Sequence, residues 1–223
     1  AFQNQSRNET LSLSGKYLDK LDGSEIRKLI ASKITPNTKK IDLSKNFLGL
    51  MINGFDIDEG LEFLGACRRF GSELCEAFLG ISDSVECLDL SRNYLDELRK
   101  PTEEHKLSES VSVFGVFGGI PGSVSSVIFR ENYLGKTPHI NEALTALSTL
   151  PETVNHIDLR DNALLANPGN KDAELTNEEL ESFFSSIIRK GRRIDVDSCV
   201  LERLLEIGVD LEGPAEKNKL GAP

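Results

Sequence analysis

At 223 residues, with 39% hydrophobic and 28% charged side chains, the chain can bury a sizeable core and reads as globular. A net charge of −10 argues against a nucleic-acid binder, which needs a basic face, and against adhesion to an anionic membrane; a basic or mixed-charge protein surface is the easier partner. The polar start AFQNQSRNET suggests no secretory signal, and the run VSVFGVFGGI is too short and too glycine-rich to span a bilayer, so no membrane insertion is expected.

In chain order, one eight-residue pattern returns six times: LSLSGKYL from Leu11, IDLSKNFL from Ile41, LDLSRNYL from Leu88, VIFRENYL from Val127, IDLRDNAL from Ile157 and IDVDSCVL from Ile194. Apolar residues hold the first, third and eighth places, so each copy predicts a short strand with one buried face. Asparagine holds the sixth place in the four interior copies, as Asn46, Asn93, Asn132 and Asn162; Lys16 and Cys199 replace it at the ends. An amide carries both donor and acceptor, so stacked asparagines can satisfy the turning backbone.

Between the strands, GSEIRKLIASKI from Gly23, GSELCEAFLGI from Gly71, INEALTALSTL from Ile140 and TNEELESFFSSII from Thr176 predict helices. Ser24, Ser72, Asn141 and Thr176 are the candidate N-caps. Seven residues before each of the last five strands stands an aliphatic residue: Ile34, Ile81, Ile120, Leu150 and Ile187. Val85, Val124 and Val154, three before, extend the same core. VLERLLEIGVDL from Val200 predicts a closing cap helix. The basic unit is 30 residues, read from starts at 11 and 41 and at 127 and 157. Longer units carry insertions over Gly49–Phe70, Asp96–Lys106 and Leu165–Leu175, all leaving the strand on one side. They mark a binding face or tolerated loop growth.

The recurring LxxLxLxxNxL resembles the leucine-rich repeat family over nearly the whole chain. The narrower form in IPGSVSSVIFRENYL and LPETVNHIDLRDNAL is similar to the repeats of Legionella-type translocated effector proteins. The resemblance implies an α/β leucine-rich-repeat solenoid, a horseshoe of six coils with a parallel concave sheet and convex helices. It forms a single domain over 1–223, with an N-terminal arm at 1–9 and a C-terminal cap and tail at 200–223. It also implies a non-enzymatic protein–protein recognition scaffold. As a bacterial virulence effector it would be delivered by type IV secretion into the host cytoplasm, to bind a eukaryotic host protein. Cysteine at the asparagine place, as at Cys199, is a known variant of the family. Glu212, Glu216 and Leu220 in the tail are only weakly like a translocation signal. An endogenous intracellular regulator of the inhibitor or GTPase-regulator type is the alternative.

Alternation assigns the outward residues of each strand. The middle column is Ser12, Asp42, Asp89, Ile128, Asp158 and Asp195, with Arg130, His156 and Arg160 beside its later members. The aspartates either meet a partner or keep the face soluble; Ile128 is an apolar anchor or a stray exposed aliphatic. Tyr17, Phe47, Tyr94 and Tyr133 share the seventh place and form an aromatic row along the strand exits. The rings are either secondary core beneath the insertions or an adhesive edge.

No catalytic set or cofactor site emerges. His105, His139 and His156 lack metal-ligand spacing, and no P-loop, GxSxG or GxGxxG is present. Asp56-Ile-Asp58-Glu59 lacks the glycine and terminal glutamate of a calcium loop. Cys67, Cys75, Cys87 and Cys199, without a C-x-x-C pair, read as free thiols of a reducing cytosol. The sequons at Asn4 and Asn8 read as accidental in that setting. Cys87 and His156 fall two strands apart, about 9–10 Å. That is far beyond the roughly 3 Å of a nucleophile and its base, so a cysteine-dependent enzyme is the remote reading and a half-buried thiol the nearer one.

Overall fold

The computed structural model describes residues 9–49, 74–95, 113–136, 146–147, 149–165, 176–188 and 191–211. Six three-residue strands are present: β1 Thr10–Ser12, β2 Lys40–Asp42, β3 Cys87–Asp89, β4 Ser126–Ile128, β5 His156–Asp158 and β6 Arg193–Asp195. They form one parallel sheet in chain order. Ile41, Leu88, Val127 and Ile157, the first places of the interior copies, face one another in register and are buried. The expected alternation therefore holds across the sheet, and the third and eighth places, Leu43 to Leu164, fill the core behind it. Val85, Val124 and Val154 are fully buried. Thr38 stands at their place in the second coil, its hydroxyl accepting from the Thr35 amide at 3.0 Å.

Among the described residues, the coils close opposite the strands through α-helices or a 3-10 segment. Helix α1 spans Gly23–Lys33, α2 Asn177–Ile187 and α3 Ser198–Glu206. Residues 74–78 are helical and Val113–Gly119 is a 3-10 segment. Thr176 caps α2 as expected, in a reciprocal pairing with Glu179. The cap of α1, however, is Asp22 and not Ser24. Asp22 accepts from the Glu25 amide at 2.7 Å, and the Glu25 carboxylate accepts from the Asp22 amide at 3.0 Å. A glutamate three residues on selects Asp22, whereas Ser24 would have Arg27 there. Ser72 and Asn141 lie outside the described residues, as do Cys67, His105, His139, the acidic stretch Asp56–Glu59, the tail residues Glu212 to Leu220 and nearly all of the three insertions.

Behind the strand ends the asparagines form the ladder the repeats predict. The side-chain oxygens of Asn46, Asn93, Asn132 and Asn162 accept from the amides of Lys16, Asn46, Asn93 and Asn132 at 2.8–2.9 Å. Each side-chain nitrogen donates to two leucine or phenylalanine carbonyls, one in its own coil and one in the coil before. For Asn93 these are Leu90 at 2.9 Å and Leu43 at 3.1 Å. All four amides are buried.

The last coil departs from the expectation. Cys199 does not take the asparagine place: the chain enters α3 at Ser198, which leaves Cys199 and Leu201 exposed. The Asp197 carboxylate accepts from the fifth-place Asp161 amide at 3.0 Å, a bond that backbone carbonyls make in the earlier coils, and the ladder itself stops at Asn162. Val200, Leu204, Val209 and Leu211 then close the core. Gly208, at φ +84°, turns the chain back so that the Val209 amide reaches the Leu204 carbonyl at 2.8 Å. The buried Arg192 guanidinium ties this coil down, donating to the Val154 and Ile187 carbonyls at 2.8 and 3.1 Å.

Candidate recognition surface

The middle column of the concave face is the one read from alternation: Ser12, Asp42, Asp89, Ile128, Asp158 and Asp195 stand side by side in register. Its charges, however, are mostly consumed within the sheet. Lys40 reaches Asp89 at 3.0 Å from the neighbouring strand. Arg130 and Arg160 both close on Asp158, at 2.7 and 2.6 Å. Arg193 forks onto Asp195 at 2.8 and 3.1 Å, and His156 joins it at 3.1 Å. Asp158 is only 3% exposed, so it holds the two arginines and is not itself offered to a partner. Among the described residues, Asp42 is the member of the column without a cation at ion-pair distance; Ser12 and the Ser44 amide bind it. Ile128, facing outward and half-buried, is the apolar point of an otherwise neutralised face.

The network has a pH signature. Burial by itself would raise the Asp195 carboxyl, but hydrogen bonds from Arg193 and His156 outweigh it and hold it below the usual carboxylate range. A carboxyl depressed in the folded chain stabilises above the unfolded value of about 3.9 and loses that contribution as pH falls through the folded value. Asp158 acts in the opposite sense: burial raises its carboxyl against the pull of Arg130. Its contribution is therefore present below the unfolded value and lost as pH rises through the folded one. Asp195→Asn is accordingly expected to flatten the fall of stability between about pH 5 and about pH 2, measured by urea denaturation. An unchanged slope would remove Asp195 from the account.

Cys87 and His156 are not in contact, as their two-strand separation requires. Ser126 stands between them in register, its hydroxyl 2.9 Å from His156 Nδ1. The row Ser126, His156, Asp195 has the residue types of a hydrolytic triad but not its surroundings. The Cys87, Ser126 and His156 amides are spent on the carbonyls of Lys39, Glu86 and Ser125 at 3.0–3.1 Å, leaving none of them to hold an oxyanion. Burial pushes the Cys87 thiol up, against the pull of Lys40 and Ser126, which is the reverse of nucleophile activation. A thiol reagent at neutral pH is expected to modify Cys199, exposed on α3, at least about tenfold faster than Cys87. Equal rates by peptide mass mapping would contradict this.

The aromatic row is the more open surface. Tyr17, Phe47, Tyr94 and Tyr133 succeed one another at ring-centroid distances of 5.8, 5.4 and 5.8 Å, the first three within 10° of parallel. Tyr17 is 61% and Tyr94 37% exposed, so these two rings are not secondary core; Phe47 and Tyr133 are half-buried. The backbone explains the placement. The fifth and seventh places of the first five copies take positive φ, from Gly15 and Tyr17 at 64° and 55° to Asp161 and Ala163 at 63° and 52°. The chain thus winds round each sixth residue, buried where it is Asn46, Asn93, Asn132 or Asn162, and turns its neighbours outward. Non-glycine residues rarely adopt this conformation, and the ladder bonds on either side hold it.

A groove of about 600 Å³ runs along this edge, lined by the four rings and by Gly15, Lys45, Arg92 and Glu131 from the fifth places. The fifth-place residues were not picked out by sequence reasoning. Their only signal is a change of sign along the row, Lys45 and Arg92 followed by Glu131 and Asp161. Arg92 and Glu131 pair at 2.6 Å. Lys45 is exposed and has no ion-pair partner among the described residues. Within those residues no group of three or more metal-ligating side chains occurs, and no helix is long and apolar enough to cross a membrane.

A parallel sheet with one strand per coil, wound on a buried asparagine ladder, gives the chain a leucine-rich-repeat solenoid fold. Among solved structures it is similar to the leucine-rich repeat-containing protein LegL7 from Legionella pneumophila, at 22% identity and a TM-score of 0.61. The likeness covers 89% of this chain and 53% of that one, so the chain spans about half the length of that protein. At this identity the likeness concerns the fold. No protein-family model and no curated protein matches the chain.

Proposed function

We propose that this solenoid is the recognition surface of a translocated bacterial effector that binds a eukaryotic host protein in the host cytoplasm. The observation that carries the reading is the open aromatic edge: four rings from successive coils, held in place by the backbone, two of them well exposed. Tyrosine gives large, stiff contact area with a polar tip and is enriched in protein interfaces. The rigid sheet behind it keeps the ordering cost of binding low. The neutralised concave face, with Ile128 at its centre, adjoins the edge as a second contact zone for a partner of mixed charge. The likeness to a Legionella protein supports the effector reading by fold and source.

Affinity capture from a eukaryotic lysate tests this. The wild-type chain would be compared with Tyr17→Asn/Tyr94→Asn, which removes two rings while keeping a residue that tolerates positive φ. A host protein enriched by the wild type and lost by the double variant is the expected result. No host protein enriched over bare resin would overturn the reading.

A further inference from the structure

We propose that the aromatic edge takes one amphipathic α-helix of a partner protein, about three turns long and laid across the coils, with an acidic residue seated beside Lys45. This deepens the recognition reading above and rests on it. Spacing decides the shape of the occupant. The rings advance in three steps of 5.4–5.8 Å. An α-helix returns the same face every turn, about 5.4 Å, so three turns cover about 16 Å and stay in step with a row of about 17 Å. An extended strand presents one face every second residue, roughly 6.7 Å, and drifts by about 3 Å over the same row. A polyproline helix returns a face only every third residue, about 9 Å, and meets alternate rings at best. Side chains at i, i+4 and i+7 of a helix therefore seat one per ring step.

Charge decides the rest. Arg92 is already held by Glu131 at 2.6 Å, which leaves Lys45 as the unneutralised charge among the residues lining the groove. It stands two residues from Phe47, so the complementary acid belongs on the helix turn that meets that ring. A second copy of this chain offers a rival occupant, since Leu201 and Leu205 of α3 lie exposed four residues apart.

The test selects binders to the full chain from two displayed peptide libraries, one stapled as three-turn helices and one held extended by prolines. Fluorescence anisotropy then gives their affinities for wild type, Tyr94→Asn and Lys45→Asn, after thermal melts show that the variants fold. The stapled library is expected to enrich peptides with apolar residues at i, i+4 and i+7 and a flanking acid. Their binding should weaken about tenfold in Tyr94→Asn and about threefold in Lys45→Asn. Enrichment of extended peptides alone, or stapled binders indifferent to Tyr94→Asn, would overturn the proposal. So would a concentration-dependent dimer abolished by Leu205→Lys. If lysate capture still yields a host protein lost with the two rings while stapled peptides fail, the helix falls and the recognition reading stands. If both fail, both fall.

Discussion

Asn93→Ala is expected to lower folding stability by about 3 kcal/mol. The substitution removes the acceptor of the Asn46 amide at 2.9 Å and the donor to the Leu90 and Leu43 carbonyls at 2.9 and 3.1 Å. The Asn46 amide is then left unpaired where water does not reach, at about 1–3 kcal/mol, while the Leu43 and Leu90 carbonyls each lose one of two ladder donors and keep those from Asn46 and Asn132. The bond from the residue 93 backbone amide to Asn132 at 2.8 Å survives the substitution, so the loss is confined to the side chain's own bonds and packing. Asn93→Asp is expected to be as damaging, since it keeps the acceptor but turns a carboxylate on two carbonyls. Urea denaturation checks both, and a loss under about 1 kcal/mol would mean the ladder is ornamental to stability.

Gly135→Ala is expected to cost a comparable amount for a different reason. A Cβ at Gly135 would lie 1.8 Å from the Ala163 carbonyl oxygen and 2.6 Å from the Leu164 Cα, all backbone of the next coil. Nothing there can swing aside as a side chain could, so the coils must part and the Gly135 amide must give up its 2.9 Å bond to the Asn162 carbonyl. Gly49 repeats the arrangement two coils earlier, 1.8 Å from the Tyr94 carbonyl oxygen. Asp19 fills the same place in the first coil, and its bond to the Asn46 carbonyl is longer, at 3.2 Å. Glycine at the ninth place thus lets neighbouring coils approach closely beneath the aromatic row. A loss of about 3 kcal/mol is expected, and a variant as stable as wild type would show that the coils separate at little cost.

Much of this architecture was legible because a repeat states its rule several times. The strand starts and the outward columns follow from spacing that six copies agree on, the buried asparagines from four, and the cap at Thr176 from its own helix start. The misreadings fall where copies stop agreeing. The final copy, IDVDSCVL, keeps the strand but starts a helix at Ser198 where the ladder would continue, so Cys199 lies on the surface. Asp22 was passed over as a cap although Glu25 stands three residues on, the spacing that the pairing needs. The acidic column stayed open between a partner site and a solubilising face because one sequence position at a time shows sign but not pairing. Lys40 and Asp89 are far apart in the chain and lie on adjacent strands, two residues out of register, and only the sheet brings them together. The aromatic row was visible as a column. That its rings stand out in solvent depended on the positive φ at the fifth and seventh places, a conformation that tyrosine and phenylalanine do not advertise.

The most direct measurement is a hydrogen-exchange footprint of the chain bound to its captured host protein. Recognition through the aromatic edge predicts slowed exchange in the turns around Tyr17, Phe47, Tyr94 and Tyr133, with α1 and α2 on the convex side unchanged. Protection confined to those convex helices, or to the strands alone with the four turns exchanging as in the free chain, would contradict it.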